Sequence, residues 1–97
     1  MNYKLSPNAA IQLEEIYIYT VKKWDVNQAE IYNRKFENNF GLLTEFPHAG
    51  AQVDEYKKGL RQFGSGKHFI FYSVHETHIL IEYILHKSSK IRDHFEA

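Results

Sequence analysis

The side chains that could do chemistry in this chain are few and mostly imidazole or cationic. Arg61 stands inside an apolar stretch, and an arginine on a strand can bind phosphate or carboxylate through two parallel N–H bonds. His68 and His86 sit near opposite ends of what read as neighbouring strands. An imidazole there could give or take a proton near neutral pH, or simply pack and hydrogen-bond. His75 and His78 form a His-x-x-His pair across a polar break, but two ligands do not make a zinc site, so no metal is expected. Lys87, Lys90, Arg92 and His94 make a basic tail. The bland reading is a solvated end with Phe95 docked on the core.

The stretch from Gly59 to His86 must position these groups. Gly59-Leu60-Arg61-Gln62-Phe63, Lys67 to Val74 and His78 to His86 are rich in β-branched and aromatic residues and have strand length. Gly64-Ser65-Gly66 and His75-Glu76-Thr77 suit two hairpin connections. Three consecutive antiparallel strands, a β-meander, are predicted. Strict alternation puts His68, Ile70, Tyr72 and Val74 on one face and Phe69, Phe71 and Ser73 on the other. It also puts Ile79, Ile81, Tyr83 and Leu85 together, with Leu80 and Ile84 opposite. Both faces carry apolar residues, so both call for cover, one from this chain and the other from a partner.

Upstream, Asn2 to Leu5 reads as a short strand with Tyr3 and Leu5 on one side. Ser6-Pro7 starts a helix: serine caps, and proline suits the first helical position. Ala9, Leu13, Ile16, Tyr17, Thr20 and Trp24 form one stripe, which places Trp24 largely buried where the helix meets its loop. Asp25, with Gln28 three residues on, starts a second helix. Its stripe is Ala29, Tyr32, Phe36, Phe40 and Leu43, and Phe46-Pro47 ends it. The short connection makes an antiparallel helical hairpin lying on one face of the sheet. The aromatic stripes are core in this reading. His48 to Ala51 reads as a turn, Gln52 to Lys58 as a polar lead into the meander, and Ser88 or Ser89 as the start of one helical turn in the tail.

Ninety-seven residues, 43% hydrophobic and 25% charged, describe one α+β domain, residues 1–97, with a single core. Twelve basic and twelve acidic residues balance, which gives direct nucleic-acid binding no support from composition. The absence of cysteine excludes disulfides and thiolate chemistry. No apolar run has membrane-spanning length, and the N-terminus lacks the apolar core of a signal peptide, so a cytoplasmic protein is expected.

The pieces Tyr3-Lys4-Leu5-Ser6, Ile16, Tyr19-Thr20, Trp24, Gln28-Ala29, Tyr32, Phe46-Pro47, Gly50, Gly59-Leu60-Arg61, His68, Ile70-Phe71-Tyr72 and Ile84-Leu85-His86 follow one another in an order and spacing that resembles the ParE toxins of the RelE/ParE toxin–antitoxin superfamily. The resemblance implies a RelE/ParE-like fold: an N-terminal strand, a helical hairpin, a three-stranded meander and a short tail. It implies a bacterial toxin without a cofactor that poisons DNA gyrase, neutralised by a co-expressed ParD-like antitoxin, with a homodimer or larger toxin–antitoxin assembly as an option. The alternative it implies is a ribosome-dependent mRNA endonuclease of RelE type, for which Arg61, Lys87 and His94 would be the catalytic set. Arg61 matches an arginine shared by both classes. The chain departs from the pattern at Ala51, Tyr83 and Ser89-Lys90. An antitoxin segment is expected along the uncovered sheet face, with Leu60, Arg61, His68, Ile70, Tyr72, Tyr83 and His86 as contacts for antitoxin or target.

Overall fold

The computed structural model describes residues 1–95. Strand β1 (Asn2–Leu5) leads into helices α1 (Pro7–Lys23) and α2 (Val26–Glu45), followed by β2 (Ala51–Gln52), β3 (Leu60–Ser65), β4 (His68–Val74) and β5 (His78–His86). A 3-10 turn, Ile91–His94, is the last element among the described residues. The sheet runs β1-β5-β4-β3-β2, with β1 parallel to β5 and every other pair antiparallel. The expected meander is its centre. The two-residue β2, expected as part of a turn and a polar lead, is an added edge. Gly64 and Ser65, expected in the connection, belong to β3, and Gly66-Lys67 alone make the turn.

Local chemistry sets both helix starts. The Ser6 hydroxyl accepts the Ala9 N–H at 3.0 Å, and Asp25 Oδ1 accepts that of Gln28 at 2.7 Å. Ala9, Phe36, Phe40 and Leu43 from the hairpin bury against Ile70, Tyr72, Ile79, Ile81 and Ile84 of the sheet, with Leu13, Ile16, Tyr32, Phe63 and Val74 around them. Tyr3 of β1 packs on Phe40 with ring centroids 5.2 Å apart.

The strict alternation expected along β5 does not hold. Phe71 pairs with Tyr83 while Tyr72 pairs with Ile81, so Glu82 is an extra residue, a β-bulge. The bulge moves Ile84 to the helix side with Ile79 and Ile81, and puts Tyr83 and Leu85 on the other. Its freed groups are taken by α1 and its cap. Ser6 Oγ donates to the Glu82 carbonyl at 2.7 Å, and the Ile84 N–H donates to Gln12 Oε1 at 2.7 Å.

The second face is not left for a partner alone. Val53, Leu60, Phe71 and Leu85 form a second buried cluster, covered by Tyr56 from the segment before β3 and by Ile91 and Phe95 from the tail. Phe95 stacks on Tyr56 at 5.2 Å and meets Tyr83 edge-on at 5.3 Å. Lys57 Nζ reaches the buried Glu82 carboxylate at 2.6 Å and ties the same segment to the bulge.

At the far end of α2, Tyr72 organises the turn into β2. Its hydroxyl donates to the Pro47 carbonyl at 2.7 Å and accepts the Gly50 N–H at 2.8 Å. Burial raises the Tyr72 phenol above its usual range; the Gly50 N–H and the Arg61 charge offset part of this. A Cβ at Gly50 would lie 2.7 Å from that hydroxyl and 2.8 Å from the Gln62 carbonyl, which reserves the position for glycine. Tyr72→Phe removes both bonds and strands a buried N–H. A loss of about 1–3 kcal/mol in urea unfolding is expected, and a loss below that range would show that the corner is not held by the hydroxyl.

Candidate functional site

A concavity lies where the α1–α2 turn faces the β3–β4 turn. It is an open cleft of about 610 Å³. Tyr19, Lys23 and Trp24 line it from α1 and its cap, Gln28, Tyr32 and Lys35 from α2, and Gly66, Lys67, His68 and His86 from the sheet. Trp24 is not buried as the stripe predicts. It is 65% exposed because α1 ends at Lys23 and Trp24, its cap, has left helical geometry (φ −123°, ψ −91°). The core stripe therefore stops at Thr20, and the next side chain turns into the cleft.

Tyr32 and His68 build the floor. Tyr32 Oη accepts the Lys67 N–H at 3.1 Å and lies 2.6 Å from His68 Nδ1. The competing Ser65 carbonyl is 3.4 Å away, so the phenolic proton goes to Nδ1, and the neutral ring keeps its own proton on Nε2. Gly66 makes this approach feasible: it sits at φ 58°, and a Cβ there would lie 2.8 Å from the Tyr32 ring. Burial, helped by the neighbouring His86, lowers the His68 pKa from 6.5 to about 4. The His86 ring is 5.0 Å from that of His68, edge to face. Its Nδ1 accepts the Ser88 N–H at 3.0 Å, which leaves the proton of the neutral ring on Nε2.

The lowered His68 pKa has a stability consequence. Between about pH 6.5 and about pH 4 the unfolded chain binds a proton at this residue and the native chain does not, so stability falls as pH falls through that window. The urea midpoint should decrease from pH 7 to pH 5, and the decrease should be smaller in His68→Gln. An identical pH dependence in the variant would refute a neutral, half-buried His68.

The other expected site residues do not converge. Leu60, Ile70 and Tyr72 are buried by the chain itself, so no partner reaches them without rearrangement. Arg61 shares the helix-side face with Phe63, not the second face where an antitoxin segment was expected to meet it. Its guanidinium donates to the carbonyls of Gly50 (2.7 Å) and His48 (3.3 Å), two main-chain partners where a phosphate or carboxylate was expected. Lys87 Nζ lies 5.1 Å from the Phe69 ring, on the opposite face of the sheet from Arg61. His94 is exposed in the 3-10 turn. Tyr83 is half-buried under Phe95, and His86 is exposed at the end of β5. His75 and His78 stack with centroids 5.1 Å apart, and among the described residues no group of three metal-ligating side chains exists. What sequence reasoning missed is the cleft itself. Its signal was Tyr19, Lys23 and Trp24 at the end of α1, of which only Trp24 was given a structural place, in the packed stripe.

Residues 3–91 match the family described as ParE toxin of type II toxin-antitoxin system, parDE. The chain is 33% identical over 92 residues to Toxin ParE1 of Caulobacter vibrioides, covering 95% of each. It is 39% identical over 72 residues to Toxin ParE1 of Mycobacterium tuberculosis, covering 74% of each. A structure of the chromosomal ParDE system from P. aeruginosa superposes with a TM-score of 0.77 at 20% identity, over 89% of this chain and 95% of that one, and shares the fold. The expected resemblance thus holds along nearly the whole length, and the chain belongs to the family of ParE toxins of type II toxin–antitoxin systems.

Proposed function

We propose that this toxin arrests growth by binding and inhibiting DNA gyrase in the cytoplasm, without chemistry of its own, and that its antitoxin is a ParD-like protein. The observation that carries the reading is the separation of the residues a RelE-type nuclease would use. Such chemistry needs cationic groups and a proton-transfer group converging on one phosphate. Here Arg61 is committed to two backbone carbonyls on one face of the sheet, and Lys87 lies on the other. Among the described residues no helix is long and apolar enough to cross a membrane. The expected contacts that reach the surface, Arg61, His68, Tyr83 and His86, are the ones left to meet antitoxin or target.

The test is a supercoiling assay with purified gyrase, toxin in molar excess, with and without the co-expressed antitoxin. Inhibition that the antitoxin relieves is expected. Intact supercoiling, together with cleaved transcripts in a translating extract, would replace this reading with the endonuclease one.

A further inference from the structure

The cleft between the α1–α2 turn and the β3–β4 turn has an aromatic and lysine lining, Tyr19, Trp24, Lys23, Lys35 and Lys67, that neither packing nor the gyrase reading uses. Two aromatic rings stand in it largely exposed, Trp24 at 65% and Tyr19 at 60%. Packing gives no reason to leave a tryptophan ring in water, whereas a planar ligand does. Three lysines, Lys23, Lys35 and Lys67, line it against one carboxylate, Glu15. Lys23 is already drawn to the aromatic side, its Nζ 3.2 Å from the Tyr19 hydroxyl. At the floor, His68 and His86 each carry their proton on Nε2 in the neutral state, and neither Nε2 has a hydrogen-bond partner among the described residues. The lining thus combines planar apolar surface, excess positive charge and N–H donors. Its volume, about 610 Å³, lies in the range of small-molecule sites.

We propose that this cleft binds a nucleoside phosphate, with the base against Trp24 and Tyr19 and the phosphate held by the lysines and the imidazole N–H groups. Stacking on exposed aromatic rings tolerates any base, so the site selects for the combination of ring and phosphate more than for base identity. A cleft of this volume with Tyr32 and His68 in its lining has room for one nucleotide rather than for a continuous strand.

Trp24 is the single tryptophan of the chain and reports on its own site. Its fluorescence is followed while AMP, GMP, ATP, adenosine and inorganic phosphate are each added to the purified toxin up to about 5 mM, the range where weak binding still registers. Saturable quenching by the nucleotides, much weaker for adenosine and for phosphate alone, is expected. Calorimetry on Trp24→Ala should show about tenfold weaker AMP binding, within the range for loss of one stacking ring. Lys23→Ala and Lys35→Ala, both at exposed positions, should weaken it and flatten its salt dependence. No saturable change with any nucleotide overturns the proposal. So does equal binding of phosphate alone, or binding of a single-stranded oligoribonucleotide more than about tenfold tighter than any mononucleotide. The outcome is independent of the gyrase assay, because a toxin that leaves gyrase untouched can still bind the nucleotide.

Discussion

Phe36→Ala is expected to lower the unfolding free energy by about 3–5 kcal/mol, and Trp24→Ala to leave it within about 0.5 kcal/mol. The two residues belong to helical stripes that look alike in sequence, so their contrast tests the fold directly. Phe36 is 1% exposed and sits between Tyr32, at 5.0 Å edge-on, and Phe40, at 6.3 Å stacked, with His68 against its edge at 5.7 Å. Truncation there removes a whole ring from the layer between hairpin and sheet, and rigid strands limit how far the cavity can collapse. Trp24 lies past the end of α1 and faces the cleft. Thermal or urea unfolding of the two variants decides the matter. A large loss at Trp24 with a small one at Phe36 would mean that the hairpin is rotated about its axis.

Much of this architecture was legible because periodicity and caps agree. Ser6-Pro7 and Asp25 start the helices where the sequence places them, and Ala29, Phe36, Phe40 and Leu43 bury as one stripe. The misplaced residues share a cause: a repeat was extended past the point where the backbone leaves it. The α1 stripe runs on to Trp24 only if the helix does. The β5 alternation runs through Glu82 only if no residue is extra, and a bulge has no signature in an apolar run. Arg61 invited a functional reading because arginine is rare in apolar strands. Its partners are main-chain carbonyls of a turn eleven and thirteen positions away, which no side-chain pattern records. The cleft was invisible for the same reason, since its walls come from three separate elements.

Phe71→Ala is the second change with a large expected effect, and it probes the face that sequence reading left for a partner. The ring is fully buried at the centre of the second cluster, with Phe69 at 6.1 Å, Tyr56 at 6.4 Å and Phe95 at 5.4 Å. A loss of about 3–5 kcal/mol is expected on unfolding in urea. Part of that loss reaches the tail, because Phe95 rests on Phe71, Tyr56 and Tyr83 and has little else to hold it. Ending the chain at Lys90 separates the two contributions. It removes Ile91 and Phe95 and uncovers Tyr83, Phe71 and Leu85 while leaving the helix-side core intact. The shortened chain should stay folded, with a lower thermal midpoint and new binding of a hydrophobic dye to the bared face. Uncovered aromatic surface of this size favours association, so the shortened chain should also self-associate more than the full chain in sedimentation. A truncation that changes neither midpoint nor dye binding would show that the tail does not lie on this face in solution. The second cluster would then be covered from the Val53–Lys58 side alone, and Phe71→Ala would fall towards the lower end of its range.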